Sequence, residues 1–591
     1  MIDFIKRVFG LIVPYWKTKS SILSWVLLIS VLFLTAAVVY LNKLFNNWYN
    51  EFYNTMQAVD ESGFKRCLVL FAVLACFWVL SNSCKSFFTQ IFEIRWRHWM
   101  TRSFMARWLK NATFYRQQFA KTHSDNPDQR ISQDLDEFIS LSISLVFSIG
   151  QSIAMLFTFV YTLWELSSST FFVLLAEYDT LPEGNAELIS FGQDLLVHSH
   201  HLPDGYLVYL SLAYTLLGTL LTFIIGRPLI RLNFYQQKLE ADFRFALMRI
   251  RENAESIAIY HGSSDEWNYL DGRFKKVVRN FVSLVSRTFG LNFFVFAYNQ
   301  TAVIFPLMIA APLYFAKVIT LGIFMQISNA FSQVHDSLST LISNFTGIAR
   351  WKSVVDRLIT YEKSMEEAER ISCIDPEKGQ DSELHVSFSE ITSPAGAELL
   401  RDTSFTIGSG TSLLVRGPSG CGKSTLLRSI AGIWPFAKGQ ITYPAEGGVL
   451  FLSQKPYLPL GTIADIVSYP GEKKADADEI RKVLEEVGLP SLKDHLDDDQ
   501  MWGQVLSLGE QQRLAFARVF VTRPSAVFLD EATSALDEDN EERLYSLLKE
   551  KLSGAVIVSV GHRSTLRKFH NATLTAEGNG IWKLERQQGN A

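Results

Sequence analysis

Cysteine is scarce. Cys67, Cys76, Cys84, Cys373 and Cys421 are the five in 591 residues, with no CxxC pair among them. That excludes a disulfide-stapled fold and a paired-cysteine metal site, and it suits a reducing compartment. Charge is also thin. Asp, Glu, Lys and Arg make up 20%, against about 25% in soluble domains. The net charge of −4 leaves no basic excess, so no nucleic-acid partner is expected. Apolar residues reach 48%, with 44 Phe, which excludes a disordered chain. The length predicts two or three domains.

The apolar residues are not spread evenly. Uncharged runs cover 21–41, 67–84, 139–164, 205–226 and 288–316, the last carrying Pro306 and Pro312. Each is long enough, at about 18 residues or more, for a helix to cross a bilayer. A sixth, weaker run covers 318–334, is interrupted by His335 and Asp336, and resumes over 337–349 with Ser, Thr and Asn mixed in. Such a mixed helix suits a bundle interior facing water. Six crossings return the chain to its starting side. Lys6, Arg7, Lys17 and Lys19 precede the first run, and no small-residue cleavage site follows. A retained anchor is expected there rather than a signal peptide.

Loop charge sets the orientation. Segment 93–137 carries eight Lys or Arg and segment 227–287 carries eleven, whereas 165–204 carries none against seven Asp or Glu. The basic segments are therefore expected in the cytoplasm with both termini. Their helical periodicity predicts that the spans continue as helices beyond the membrane. His198, His200 and His201 lie in the acidic loop without metal-site spacing and read as solvated.

Beyond the membrane domain, predicted over 1–350, a charged linker over 351–383 leads to a region, 384–591, that alternates strand-like runs, glycine turns and helices. That is an α/β pattern with a parallel sheet. Gly417-Pro418-Ser419-Gly420-Cys421-Gly422-Lys423-Ser424-Thr425 follows a predicted strand, 411–416, and opens a predicted helix, 426–433. Glycines there let backbone N–H groups surround phosphate at a helix N-terminus. Lys423 is placed to reach the β- and γ-phosphates, and the Ser424 hydroxyl to ligate Mg²⁺. Residues 526–531 form an apolar strand ending in Asp530 and Glu531. Beside a phosphate loop, Asp530 would hold Mg²⁺ through water and Glu531 would act as general base. Between them, Leu506-Ser507-Leu508-Gly509-Glu510-Gln511-Gln512-Arg513 precedes a predicted helix over 511–520.

This order resembles the ATP-binding cassette (ABC) proteins. Gln454 after the strand 448–452 matches the family's Q-loop, Ser534-Ala535-Leu536-Asp537 its D-loop, and His562 after the strand 555–560 its switch histidine. The resemblance implies an ATP-binding, ATP-hydrolysing domain with Mg²⁺. The binding residues would be Gly417, Pro418, Ser419, Gly420, Cys421, Gly422, Lys423, Ser424, Thr425, Gln454, Ser507 and Gly509. The metal would be held by Ser424, Gln454 and Asp530, and catalysis would rest on Glu531 and His562. In the family, Ser507 and Gly509 would act in trans on ATP held by a second cassette. One set of motifs thus implies a homodimer of two chains. Two departures stand out. Leu508 replaces the usual second glycine, and Ser393 occupies the position of the usual adenine-stacking aromatic ring.

Leu508 with GEQQR resembles subfamily D, the peroxisomal-type half-transporters and their bacterial relatives. Arg95-Trp96-Arg97, residues 126–131 and residues 253–260 agree with it, the last as an EAA-like stretch. The membrane part is similar to the SbmA/BacA-like transport domain. Asp128 and Glu255 in those stretches are expected to cap or bridge in a network that docks near Gln454. The resemblance implies an ATP-driven transporter with six spans per chain, moving a hydrophilic solute (cobalamin-like) or a peptide. Fatty acyl or acyl-CoA transport is the alternative, as is an ATP-switched membrane regulator. Asn292, Asn299, Gln300 and Thr301 in span five favour a wet path, but no charged pocket is evident to choose a substrate. The chain ends Gln588-Gly589-Asn590-Ala591 rather than S-K-L, so a bacterial inner membrane is expected, with an organellar membrane as the alternative.

Overall fold

The structure, a computed structural model, describes residues 2–18, 21–122, 126–177, 205–315, 317–471 and 475–586. His198, His200 and His201 lie outside them. Two compact units divide the chain. One takes Met1–Met105 and Asn126–Tyr361; the other takes Ala106–Asp125 and Glu362–Ala591.

The first unit is helical. Its helices are α1 (Ile2–Trp16), α2 (Ile22–Gln57), α3 (Glu61–Leu109), α4 (Leu135–Glu177), α5 (Tyr206–Glu252), α6 (Ala254–Ile259), α7 (Ser263–Phe315) and α8 (Leu321–Arg370). Helices α3 and α5 run well past their apolar stretches and α7 begins well before its own, as the periodicity predicted. Helices satisfy every backbone donor and acceptor internally, which hydrocarbon demands. Five of them, α2, α3, α4, α5 and α7, are long and apolar enough to span a membrane. Helix α8 is equally long but carries Gln326, Asn329, Gln333 and Asp336, which keep it outside that set. The outer surface is apolar: Phe33, Phe157 and Phe289 are 72%, 73% and 72% exposed. Large rings facing outward in such density mark a lipid-facing surface.

The N-terminal stretch forms a helix separate from the first span. Its apolar positions Val8, Leu11 and Tyr15 are buried, at the spacing of one helical face. Tyr15 bonds Ser24 and stacks on Trp96.

Polar groups sew the long helices together. Asn46 Nδ2 donates to the Gln326 carbonyl and Asn329 Oδ1 at 3.1 and 3.0 Å, and Asn50 Nδ2 donates to Gln326 Oε1 at 2.9 Å. Helices α2 and α8 approach closely here. A Cβ on Gly322 would lie 2.1 Å from the Asn50 carbonyl oxygen. Between α5 and α7, Tyr214 and Tyr298 stack with centroids 4.6 Å apart. Each hydroxyl donates to the other residue's carbonyl, at 2.8 and 3.0 Å. A π-turn at Arg130–Asp134 sets the buried Asp134 between Arg130 and Arg357, the latter donating at 3.0 and 2.8 Å. Asp128 and Glu255 form no ion pair among the described residues.

The second unit is α/β. One sheet has the order β1 (Glu377–Lys378), β5 (Ala437–Tyr443), β2 (Leu384–Thr392), β3 (Glu398–Ile407), and β2 is antiparallel to both neighbours. The other has the order β10 (Ile581–Arg586), β9 (Ala572–Gly578), β4 (Ser412–Arg416), β8 (Val556–Val560), β7 (Ala526–Asp530), β6 (Val449–Leu452). From β9 to β6 this second sheet is parallel. Parallel strands buried on both faces read as continuous apolar runs, as Ala526–Asp530 and Val556–Val560 do. Helices α9 (Lys423–Ile430), α10 (Leu508–Thr522) and α11 (Glu538–Lys551) pack with the sheets.

Residues 106–122 belong to this second unit by packing as well. Phe119 meets Trp434 and Phe436 edge-on at 5.5 and 5.6 Å. Thr122 donates from N and Oγ1 to Glu367, both at 2.8 Å, and Gln117 Nε2 donates to Ser364 Oγ at 2.8 Å.

Candidate functional site

Register explains where the motif residues stand. Val415 is level with Val560, Asp530 with Val560, and Leu452 with Leu529. The carboxyl ends of four adjacent parallel strands therefore form one row, with neighbours about 4.8 Å apart. The phosphate loop leaves β4, Gln454 follows β6, Asp530 ends β7 with Glu531 directly after it, and His562 follows β8. Ligands of open α/β sheets bind at this edge.

The loop Gly417–Gly422 holds its shape through glycine at two positions. Gly420 and Gly422 have φ of 82° and 102°, a region that side-chain-bearing residues seldom enter. Gly422 also caps α9, and a Cβ there would press on Leu399 at 3.1 Å. Pro418, Ser419 and Cys421 fill the loop between the glycines. The helix starts at Lys423, earlier than the predicted 426, so Ser424 and Thr425 lie in its first turn. The buried Lys423 donates its Nζ to the Gly417 and Pro418 carbonyls at 2.9 and 3.0 Å. Ser424 Oγ donates to Asp530 Oδ1 at 3.0 Å. Burial pushes the Asp530 carboxyl up, opposed by the Ser424 hydroxyl bond. A half-buried carboxylate beside a hydroxyl and an ammonium, at a glycine loop, is a donor set that fits a nucleotide's phosphates with a hard divalent cation.

Glu531 sits at φ 51°, in the left-handed region, at a cost of roughly 1–2 kcal/mol. Its N–H donates to the Val560 carbonyl at 3.1 Å. This turn brings its Oε1 to 3.2 Å from His562 Nε2.

Helix α10 begins at Leu508 rather than 511. Ser507 is its N-cap, in a capping box with Glu510. The Ser507 hydroxyl and N–H bonds hold the Glu510 carboxyl below the usual range. Gly509 therefore lies inside the first turn. A Cβ on it would stand 3.2 Å from the Ala535 carbonyl oxygen. Ser507 and Gly509 make no hydrogen bond to their own phosphate loop among the described residues. Ser393 accepts from Ala397 N at 3.0 Å, closing a tight turn where an aromatic ring would otherwise stand.

Two residues escaped the sequence reading. Gln512 donates to the Gln454 carbonyl at 2.8 Å and to Ser534 Oγ at 3.2 Å, and accepts from Ala535 N at 3.1 Å. Its side chain thus joins the segment after β6 to the segment after β7. The GEQQR motif signalled it, but its partners are distant in sequence. Glu541, 2% exposed, accepts from Thr533 at 2.7 Å and Thr565 at 2.8 Å, with Arg563 at 3.5 Å. It ties the segment after Glu531 to the one after His562. Nothing in its local sequence distinguished it from a surface acid.

Residues 9–315 match the family described as ABC transporter transmembrane region 2, and residues 400–534 match ABC transporter. An uncharacterized ABC transporter ATP-binding protein of Haemophilus influenzae is 34% identical over 96% of this chain and 92% of its own length. The inner membrane ABC transporter ATP-binding protein YddA of Escherichia coli is 30% identical over 95% of each. The lysosomal cobalamin transporter ABCD4 of Mus musculus is 30% identical over 97% of this chain and 94% of its own. A membrane-spanning helical unit and an ATP-binding, ATP-hydrolysing unit thus share one polypeptide, and the chain belongs to the ABC transporter family.

Proposed function

We propose that two identical copies of this chain pump a hydrophilic solute or a peptide across a bacterial inner membrane, with the ATPase unit in the cytoplasm. Residues 384–591 do the hydrolysis, and 351–383 link them to six spans within 1–350. The observation that carries the reading is the row at the sheet edge, where Ser424 meets Asp530 at 3.0 Å and Glu531 meets His562 at 3.2 Å. Gly417, Pro418, Ser419, Gly420, Cys421, Gly422 and Thr425 surround the phosphates, and Lys423 supplies them a cation. Ser424, Asp530 and Gln454 would hold Mg²⁺, which when bound neutralises phosphate charge. Glu531 accepts a proton from water as that water's oxygen attacks the terminal phosphorus, and the bond to ADP breaks. His562 orients the Glu531 carboxylate. Ser507 and Gly509 lie apart from their own phosphate loop, which supports a role toward ATP on the second copy.

The basic segments support the orientation, and the cobalamin transporter among the relatives supports a hydrophilic cargo. The test is ATP turnover in lipid nanodiscs, wild type against Glu531→Gln, with cobalamin, a proline-rich peptide or an acyl-CoA added. Removal of the base should lower turnover by about 10²-fold or more, and one hydrophilic ligand should stimulate the wild type. Wild-type turnover in the variant would refute the base. Stimulation by acyl-CoA alone would refute the cargo.

A further inference from the structure

Three helices of the membrane unit each present one polar face to a shared cavity of about 640 Å³. Helix α3 contributes Asn82, Lys85, Ser86, Thr89 and Glu93, at the offsets of a single helical face. Helix α4 contributes Ser140, Ser144, Ser148 and Ser152, one every fourth residue, with the buried Ile143, Phe147 and Met155 beside them. Helix α8 contributes Gln333, Asp336, Ser337 and Thr340. The volume lies within the range of small-molecule sites, about 300–1,000 Å³. Asn292, Asn299, Gln300 and Thr301 of α7 do not line it. The expectation that the spans hold no charged pocket is thereby corrected.

The charges decide what would fit. Lys85 is half-buried and donates to Gln151 Oε1. Neither it nor Glu93 or Asp336 has an ion-pair partner among the described residues. Unpaired charges within a membrane unit are expensive and stand where a ligand or a water path needs them. One ammonium and two carboxylates make the cavity net acidic and amphoteric. A fatty acyl chain would strip water from the exposed Ser140 and Ser144 of α4 and gain no partner for them. The phosphates of an acyl-CoA would meet Glu93 and Asp336 as like charges.

We propose that this cavity binds an amphoteric solute of the class of short peptides with free termini, its carboxylate at Lys85 and its ammonium at Asp336, with Glu93 adding to the acidic end. The proposal names the cargo class of the transporter read above and rests on that reading for its biological meaning; the binding itself needs no ATP.

The experiment uses the full chain in lipid nanodiscs without nucleotide. Equilibrium dialysis measures labelled tetra-alanine with free termini, its N-acetyl form, its C-terminal amide and palmitoyl-CoA. Blocking either terminus should weaken binding about tenfold or more, the scale of a lost charge-assisted hydrogen bond. Lys85→Gln should erase discrimination against the amide and keep that against the acetyl form. Asp336→Asn should do the reverse, and Lys85→Arg should restore the wild-type pattern. Equal binding of blocked and free peptides, or binding of palmitoyl-CoA alone, overturns the proposal. The peptide series on the unaltered protein decides this even where a variant does not fold. ATP-driven uptake into proteoliposomes is read separately. Peptide binding in the stated pattern without uptake overturns the transporter reading and leaves the site. Uptake of another solute, with no peptide bound, overturns the site and leaves the transporter.

Discussion

Replacing Phe119 by Ala removes an apolar anchor that holds residues 106–122 in the ATPase unit. Besides an edge-on contact to Tyr115 within its own segment, the ring makes two to the rest of the ATPase unit, to Trp434 at 5.5 Å and Phe436 at 5.6 Å. Each such pair contributes about 0.5–1.5 kcal/mol beyond burial. Adding the packing lost from a half-buried ring gives a total of about 3 kcal/mol, or roughly a hundredfold in the docked-to-undocked ratio of this short segment. The bonds from Thr122 to Glu367 and from Gln117 to Ser364 remain, so loosening is confined to the neighbourhood of residue 119. Helix α3 delivers this segment and, earlier along its length, lines the polar cavity. The expected phenotype is therefore uncoupling. Basal ATP turnover in proteoliposomes should stay within about threefold of wild type, while solute-stimulated turnover and uptake should fall about tenfold. Phe119→Leu, which keeps the apolar volume and loses the ring contacts, should lie between. Uptake per ATP unchanged in Phe119→Ala would refute the assignment of coupling to this contact.

Two further predictions concern the ATPase unit. Glu541→Gln leaves Thr533, Thr565 and Arg563 facing a neutral amide in a buried place; a loss of about 2–3 kcal/mol should appear as a lower thermal midpoint and reduced turnover, and unchanged values in both would show that the carboxylate positions nothing. His570 donates to the Leu566 carbonyl at 2.7 Å and accepts from Ser559 at 2.8 Å, and burial pushes its imidazole down to about 4. The unfolded chain therefore takes up that proton first as pH falls. Stability should drop by about 3 kcal/mol between pH of about 6.5 and about 4. Unfolding of the full chain against pH should show a flatter profile in His570→Asn; identical slopes would refute the assignment.

The edge of the parallel sheet was readable from sequence because phosphate chemistry demands fixed residues at fixed offsets from strand ends. Gly417–Thr425, Asp530, Glu531 and His562 each follow a short apolar run, so strand and site announce one another. The start of α10 was misjudged because Ser507 and Glu510 close a capping box that pulls Leu508 and Gly509 into the helix. The polar cavity was invisible for a different reason. Its residues are spread over three helices far apart in sequence, and although the mixed composition of 318–349 already suggested a face toward water on α8, nothing local pairs that face with those of α3 and α4. Asn82, Lys85, Ser86, Thr89 and Glu93 have the periodicity of one face, yet nothing local says that the Ser140–Ser152 face lies opposite. The same distance hid the docking of Phe119. Of the six expected spans, five are found as long apolar helices; α8 falls outside them because its polar residues belong to the cavity and to the Asn46 seam.

The reciprocal bonds of Tyr214 and Tyr298 fasten α5 to α7, and Asn280 repeats the clasp further along by donating to the Leu232 carbonyl and Gln236. The two helices are thereby a single rod, and the tyrosine pair is its natural pivot. Tyr214 stands eight residues from one end of α5 at Tyr206 and 38 from the other at Glu252. At about 1.5 Å per residue those arms are about 12 and 57 Å. The rod is geared at roughly one to five. A sweep of about 5 Å at the tip that carries Ile259 and Tyr260 would ask for a shift of only about 1 Å at the short arm. The side chains around the pivot, His335 among them, would then keep their contacts through the stroke.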